Sequence, residues 1–365
     1  MRAGSVSVFT TLFNHERYVG EALASAVAQT RPPDEIVVID DASTDRSVEV
    51  VKRLDHPALR LIEQPRNLGG ATTMLGLAAC RGEFVAILNS DDAWEPGKLA
   101  LQLAYLDAHP RCGAVFTRVT LVDEEGRRWA PGEHPLEPLL QARNRSRCEW
   151  LRHFFEQGNA LCASSAVVRR ACIDQLGPLD GRYVQLQDLE MWTRLAVAGF
   201  ELHVLDAPLT RYRMMRRHAN MSTTSWPTRA RQTYEHALLL RHLWRLRSVE
   251  LQQMFPEGPV PDDDRLVCWW LGRIAGTRPG LHHQQFAVDS MFEFARHPEA
   301  VAIAAERFGF SHRDYRDFLA RNPLGAAEKA PWRRFKFLLA SRLRPGALRW
   351  LRRSARRIAS LDGED

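Results

Sequence analysis

The sequence is short of paired cysteines, long apolar runs and glycine-rich loops. Its six cysteines, Cys80, Cys112, Cys148, Cys162, Cys172 and Cys268, lie far apart with no CxxC pair, so neither a zinc site nor a disulfide framework is expected. That usage fits a reducing compartment such as the cytoplasm. The opening Met1-Arg2-Ala3-Gly4 leads straight into a strand-like run, without the apolar stretch and cleavage site of a secretory leader, so export is not expected. No segment reaches the roughly 18 uncharged apolar residues needed to cross a bilayer, which excludes a polytopic membrane enzyme and leaves at most peripheral contact. No G-x-G-x-x-G follows the first strand, which argues against a nicotinamide dehydrogenase.

What is present describes a globular protein: 365 residues, 45% hydrophobic and 26% charged, with a net charge of +6. Ser5 to Phe9 is a short apolar strand, and a helix-like stretch from Tyr18 to Gln29 follows a polar bend. Pro32-Pro33 ends that helix, Glu35 to Ile39 reads as a buried strand, and Ser43 is placed to cap a helix carrying Val48, Val50 and Val51. Leu59 to Glu63, Thr72 to Cys80 and Glu83 to Leu88 continue the alternation as strand, helix and strand. Such alternation predicts an α/β, mostly parallel sheet with helices on both faces. The pattern loosens through Pro131 to Pro138, returns around Trp150 to Phe155, and becomes helical from Arg229 onward. We therefore expect a catalytic domain over 1–225, with halves 1–122 and 123–225, and a helical C-terminal region over 226–365.

Open sheets of this kind bind ligands beyond the carboxyl ends of their strands, and those positions are polar here. Thr10, Thr11 and Asn14 follow the first strand, Asp40-Asp41 the second, and Asn89-Ser90-Asp91-Asp92 the fourth. Asp91 and Asp92 offer hard oxygen ligands to Mg²⁺ or Mn²⁺, a cation able to bridge two phosphates, or they cap the helix that begins near Pro96. Asp40 or Asp41 can accept a hydrogen bond from a base or ribose, while Ser43 or Asp45 caps the following helix. Phe13 can stack on a nucleobase or simply pack.

Three runs carry a resemblance: Val6 to Asn14 (VSVFTTLFN), Ile36 to Asp45 (IVVIDDASTD) and Gly82 to Asp92 (GEFVAILNSDD), in that order and spacing. They resemble the hallmark segments of glycosyltransferase family 2. A fourth run, Gly177-Pro178-Leu179-Asp180 followed by Gln187 to Leu195 (QDLEMWTRL), is similar to the family's acceptor-side motif. The match spans residues 5–222. It implies a GT-A fold, inversion at the anomeric carbon, and a nucleotide-diphosphate sugar held by Thr11, Phe13, Asn14, Asp40 or Asp41, Asp91 and Asp92, with Asp92 as chief metal ligand. It also implies an acceptor-side base, for which Asp188 is the candidate and Glu190 the rival; two positions apart on a helix, their side chains point about 200° apart, so only one can face a cleft. Either could instead be a plain helix N-terminal carboxylate. The runs Arg211-Tyr212-Arg213 and His218 to Ser222 resemble the family's closing loop, with His218 reaching the metal or the donor phosphates.

The chain departs from the family at Asn89, where many members carry Asp, and at Thr73-Met74, where many carry Arg-Asn; Arg66 is the nearby cation that would compensate. The Gln-x-x-Arg-Trp motif and membrane spans of processive members are absent, so single addition is expected. From Trp332 to Arg357 the sequence is basic throughout, with no acidic residue, and is interleaved with Phe335, Leu338, Leu348, Trp350 and Leu351. Over 332–358 this describes an amphipathic tail for an anionic membrane surface, and with it a glycan or lipid-linked acceptor, or else a basic helix pair packed on the domain. No nucleic-acid module is present, so nucleic acid is not an expected partner. Two competing readings are a catalytically silent scaffold and a sugar-phosphate nucleotidyltransferase; the latter would need a glycine-rich phosphate loop after the first strand, and Thr10 to Glu16 contains no glycine.

Overall fold

A computed structural model describes residues 4–130, 132–134, 137–140, 143–177, 179–214 and 226–322. His218 and the basic tail 332–358 therefore lie outside the described residues, as do 215–225, where the expected domain boundary falls. The chain divides into two compact units between Trp270 and Leu271.

The first unit opens with β1 (Val6–Leu12), α1 (Val19–Val27), β2 (Glu35–Asp40), α2 (Ser47–Arg53), β3 (Leu59–Glu63), α3 (Gly70–Ala79) and β4 (Phe84–Ile87). It continues through β5 (Ala93–Trp94), α4 (Lys98–Ala108), β6 (Cys112–Val122), α5 (Glu137–Leu140), α6 (Arg147–Glu156), β7 (Val167–Arg169), α7 (Arg170–Leu176), α8 (Gln187–Val197) and β8 (Glu201–Arg213). Helices α9 (Trp226–Leu240) and α10 (Ser248–Met254) follow, and α11 (Val267–Gly276) runs across the division. The second unit holds α12 (Leu281–Ala295), α13 (Pro298–Phe308) and α14 (His312–Arg321), the last begun by a capping box between Ser311 and Asp314.

Among the described residues the sheet has eight strands in the order β3-β2-β1-β4-β7-β6-β8-β5. The four strands β3, β2, β1 and β4 are parallel, as the alternating pattern required. Beyond them the sheet is mixed: β7 runs antiparallel to both β4 and β6, β8 parallel to β6, and short β5 antiparallel to β8. In β1 and β2 nearly every residue is buried, since helices cover both faces and β-branched side chains fill the pleat on each. Val6, Val8, Ile36, Val38, Phe84 and Ala86 pack with Leu23 of α1 and Leu103 of α4 in one core cluster. On the other face α3 lies so close to β1 that a Cβ on Gly76 would come within 2.1 Å of Phe9 Cε2, so only glycine is tolerated there.

Local capping differs from expectation. Ser43 does not cap α2, which starts at Ser47 with no side-chain cap on Arg46. Instead Ser43 Oγ accepts from the Asn14 amide (2.9 Å), and Asp45 Oδ1 accepts from Ser47 N (2.9 Å), because the loop after β2 is tied to the loop after β1 before the helix begins. Likewise Asp91 and Asp92 do not cap α4, whose first residue is Lys98 behind Gly97.

Candidate active site

The carboxyl ends of β1, β2 and β4 are laced together. Asn14 holds φ at 53° and Ala42 at 62°, left-handed conformations that cost energy for residues with a Cβ and collect at functional sites. Asn14 Oδ1 accepts from Thr44 N (2.8 Å), and His15 Nδ1 lies 2.8 Å from Ser90 Oγ, joining the first rim loop to the second and the fourth. Asp41 is wholly engaged: it accepts from Leu68 N (2.7 Å), Gly69 N (2.9 Å) and Thr72 Oγ1 (2.5 Å), fixing the loop that enters α3. Asp40 is different. Its Oδ2 accepts from Ser43 N (3.0 Å), but Oδ1 is buried with no hydrogen-bond partner among the described residues, as is Thr10 Oγ1 on β1. Buried acceptors are rarely left so unless something else completes them. Thr11 is half-buried at the end of β1, Phe13 stands 45% exposed on the rim, and Arg66 is exposed in the loop after β3.

The acidic pair after β4 splits in the same way. Asp92 is 1% exposed and spent inside the protein. Its Oδ1 accepts from Arg213 N (2.9 Å), and its Oδ2 accepts from Asn89 Nδ2 (3.2 Å) and from Ser164 Oγ. Asp91 is half-buried, and among the described residues no other residue's hydrogen bond reaches its carboxylate. Burial raises the pKa of both, with Asp91's charge adding to the rise at Asp92, while His15 and Arg213 offset part of it at Asp91. Arg213 is the staple of this corner: Nε donates to Asp91 O (2.8 Å), Nη1 to Asp123 O (2.9 Å), and Nη2 to Glu21 of α1 (2.5 Å).

Asp188 and Glu190 begin α8, and their two-residue spacing sends them apart. Glu190 is 2% exposed and pairs with Arg194 (2.7 Å) and His242 (2.9 Å). Asp188 is half-buried; its Oδ2 accepts from Asn159 Nδ2 (2.7 Å) and its Oδ1 from Leu189 N (2.8 Å). Desolvation pushes its carboxyl up to about 6, against the pull of those two hydrogen bonds. The loop ahead of Asp188 is set by Glu235 of α9, which accepts from the amides of Val184 (3.0 Å), Gln185 (2.8 Å) and Leu186 (2.9 Å).

One short segment joins the two groups. Asn159 holds Asp188 and Ser164 holds Asp92, five residues apart, a span of at most about 18 Å even if fully extended. Between them, the charges of Asp92 and Asp188 both act on buried Cys162 and help raise its thiol pKa, after burial itself. A second bridge comes from α3, where a Cβ on Gly70 would meet Gln187 Nε2 at 2.2 Å, so the helix that follows the Asp41 loop abuts the start of α8.

Among the described residues no group of three or more His, Cys, Asp and Glu side chains is disposed to hold a metal ion. What is there is Asp91, an under-partnered carboxylate at the rim after β4, and Mg²⁺ or Mn²⁺ sites completed by substrate phosphates need only one or two protein carboxylates. The donor set fits a cation of that kind. Ser164, Asn159 and Glu235 were not foreseen as site residues, since each partner lies 29 to 72 residues away and leaves no local pattern, and Arg213, expected in a loop over the donor phosphates, is instead 2% exposed at the end of β8.

The family model "Glycosyl transferase family 2" matches residues 7–169. An uncharacterized protein of Mycobacterium tuberculosis is 30% identical over 377 residues, covering 99% of this chain and 94% of its own. A Bacillus subtilis protein named as a teichuronic acid biosynthesis glycosyltransferase, TuaG, is 26% identical over 227 residues, covering 60% of this chain and 82% of TuaG. The crystal structure of S. aureus TarS in complex with UDP superposes with a TM-score of 0.51 at 16% identity, covering 84% of this chain and 93% of that one, and shares the fold. No helix among the described residues is long and apolar enough to cross a membrane.

Proposed function

Because this chain belongs to glycosyltransferase family 2, we propose that it is an inverting transferase that moves a single sugar from a nucleotide-diphosphate sugar onto a hydroxyl of a glycan or lipid-linked acceptor in polysaccharide biosynthesis. The observation that carries this reading is the Asn159–Ser164 segment, which binds the acidic pair after β4 at one end and Asp188 at the other. An in-line displacement needs a site for departing phosphate and a base on the opposite side of one sugar ring, and two carboxylate stations tied to a single short segment supply both.

On the donor side we assign the exposed Phe13 ring to stack on the base, and Thr11 and the unpaired Asp40 Oδ1 to hydrogen-bond the nucleoside. Asp91 would hold the divalent cation, in place of the inward-turned Asp92; bound there, Mg²⁺ or Mn²⁺ supplies Lewis-acid stabilisation of charge on the leaving diphosphate. Asn14, Asp41 and Asp92 then act by holding the rim in shape. Arg66 and His218 remain candidates for the donor phosphates.

On the acceptor side Asp188 takes the proton of the attacking hydroxyl. Near neutral pH a carboxyl titrating at about 6 is mostly ionised, yet more basic than a solvent-exposed one, and Asn159 orients it. Glu190, already committed to Arg194 and His242, serves α8 rather than the reaction. We place the transferase in 1–225, on the cytoplasmic side, with the basic tail 332–358 as a peripheral contact to an anionic membrane surface carrying the acceptor.

The test is release of nucleoside diphosphate from a panel of nucleotide sugars, with Mn²⁺, Mg²⁺ or EDTA. Slow metal-dependent hydrolysis of one donor, lost in Asp91→Asn, supports the reading and names the donor. A full panel with neither turnover nor donor-induced thermal stabilisation would favour the scaffold alternative.

A further inference from the structure

We infer that the first unit carries a second binding site, separate from the rim of β1, β2 and β4, in which Arg143, Arg145 and His153 take a phosphate group, as a monoester, diester or diphosphate. A cavity of about 740 Å³ lies against α6 and the segment after α10, with these three side chains, Arg152 and Gln253 in its wall. That is room for a phosphate together with the body that bears it.

The cationic groups are prepared for an anion. Arg143 and Arg145 make no ion pair with a carboxylate among the described residues, whereas Arg152 is paired with Glu257 (2.9 Å). Arg145 is half-buried and fixed in place: one nitrogen donates to Arg143 O (3.0 Å), and its guanidinium lies 4.7 Å from the centre of the Trp150 ring, leaving its other N–H groups to a ligand. Trp150 in turn meets His153 edge to face at 5.8 Å. His153 is only 8% exposed, and its Nε2 has no hydrogen-bond partner among the described residues. A buried imidazole nitrogen of this kind, in its Nε2–H tautomer beside two arginines that no carboxylate among the described residues pairs directly, is a donor suited to an oxyanion. Burial, aided by Arg145's charge, depresses the imidazole to about 4, so it is the neutral ring that waits there. The wall also holds the carboxylates Glu149 and Glu156; Glu149's charge acts on both arginines, but its Oε2 is committed to the Ser146 amide (2.8 Å) and hydroxyl (2.7 Å) in a capping box and forms no direct pair with either. Arg145, Ser146 and Gln253 also border a neighbouring cavity of about 880 Å³, but its further cations Arg111 and Arg247 are paired with Glu201 (2.8 Å) and Glu250 (3.6 Å) in the same wall, so the unpaired charge lies in the first cavity.

The experiment titrates the full chain with inorganic phosphate and inorganic pyrophosphate by calorimetry at constant ionic strength, and with phosphatidylglycerol or phosphatidylcholine vesicles by flotation. The native chain is compared with Arg145→Ala, Arg145→Lys, His153→Gln and Asp91→Asn. Pyrophosphate affinity, read in EDTA, is expected to fall about tenfold in Arg145→Ala and His153→Gln, as expected for losing a charge-assisted hydrogen bond, with partial recovery in Arg145→Lys. Flotation with phosphatidylglycerol alone, lost in the same variants, would identify a lipid phosphate as the source; soluble anion binding without flotation would identify a free or glycan-borne phosphate. Equal affinity in native and arginine variants, or binding abolished by Asp91→Asn alone, overturns the proposal. If Arg145→Ala unfolds, the Arg145→Lys and His153→Gln pair decides the matter.

Discussion

The rim at the ends of β1, β2 and β4 and the stretch from Asn159 to Glu190 each pair a half-buried carboxylate, Asp91 or Asp188, with a fully buried and committed one, Asp92 or Glu190, but they reach that arrangement differently. At the rim the strands are parallel neighbours, so acidic residues that follow them arrive together through strand pairing alone. Around Asp188 nothing comparable exists; its position depends on Asn159, on Glu235 reaching across from α9, and on Gly70 letting α3 approach. Topology places the first region, and individual side-chain contacts place the second. The second should therefore be the easier to disturb without unfolding the protein.

The largest effect is expected at Asp188. Replacing it with Asn should lower kcat by about 10²–10⁴-fold, the usual contribution of a positioned general base, while leaving donor-induced thermal stabilisation intact. The fold favours the neutral form of this carboxyl, so Asp188 adds stability at acid pH that is lost as pH rises through about 6. Asp188→Asn should thus be no less stable than the native chain at pH 8. A matching loss of Tm would instead mark Asp188 as structural.

Asp91 and Asp92 sharpen the comparison next. Asp91→Asn should reduce metal-dependent turnover by about 10²-fold with Tm unchanged, as for removal of one electrostatic transition-state contact. Asp92→Ala should cost about 1–3 kcal/mol of stability for each buried donor left unpaired, among them Arg213 N and Ser164 Oγ, so thermal unfolding separates the two variants.

Asn159→Ala is the milder test of the second region. Removing its hydrogen bond takes away a contact that stabilises the Asp188 carboxylate, so the acid limb of the kcat/KM profile, set near about 6 in the native chain, should move to higher pH. A rate loss with an unmoved limb would mean that Asn159 supports the loop and not the base. Smallest of all, Phe13→Ala should raise KM for the donor about tenfold or less with kcat retained, in line with an aromatic stacking contact of about 0.5–1.5 kcal/mol.

Much of the rim was legible in the sequence, because a short continuous apolar strand followed by polar residues states both where a strand ends and what stands there. Asp40, Asp41, Asp91 and Asp92 were found this way. Which member of each pair turns outward was not legible: Asp92 goes inward because Ser164 and Arg213 take it, and Asp41 because Leu68, Gly69 and Thr72 do. Local rules also misjudged Ser43, where a loop-to-loop bond with Asn14 outcompeted helix capping. The antiparallel β7, only three residues long, carries too little pattern to announce itself, yet it makes the sheet mixed and follows directly on the Asn159–Ser164 segment.

The central claim is a direct displacement with Asp188 as base on the side opposite the nucleotide. The measurement closest to it is the anomeric configuration of the product, read from the proton–proton coupling at the transferred sugar's anomeric carbon by NMR once the donor is known. The account predicts inversion, a β-linked product from an α-linked donor or the reverse. Retention of the donor's configuration would contradict it.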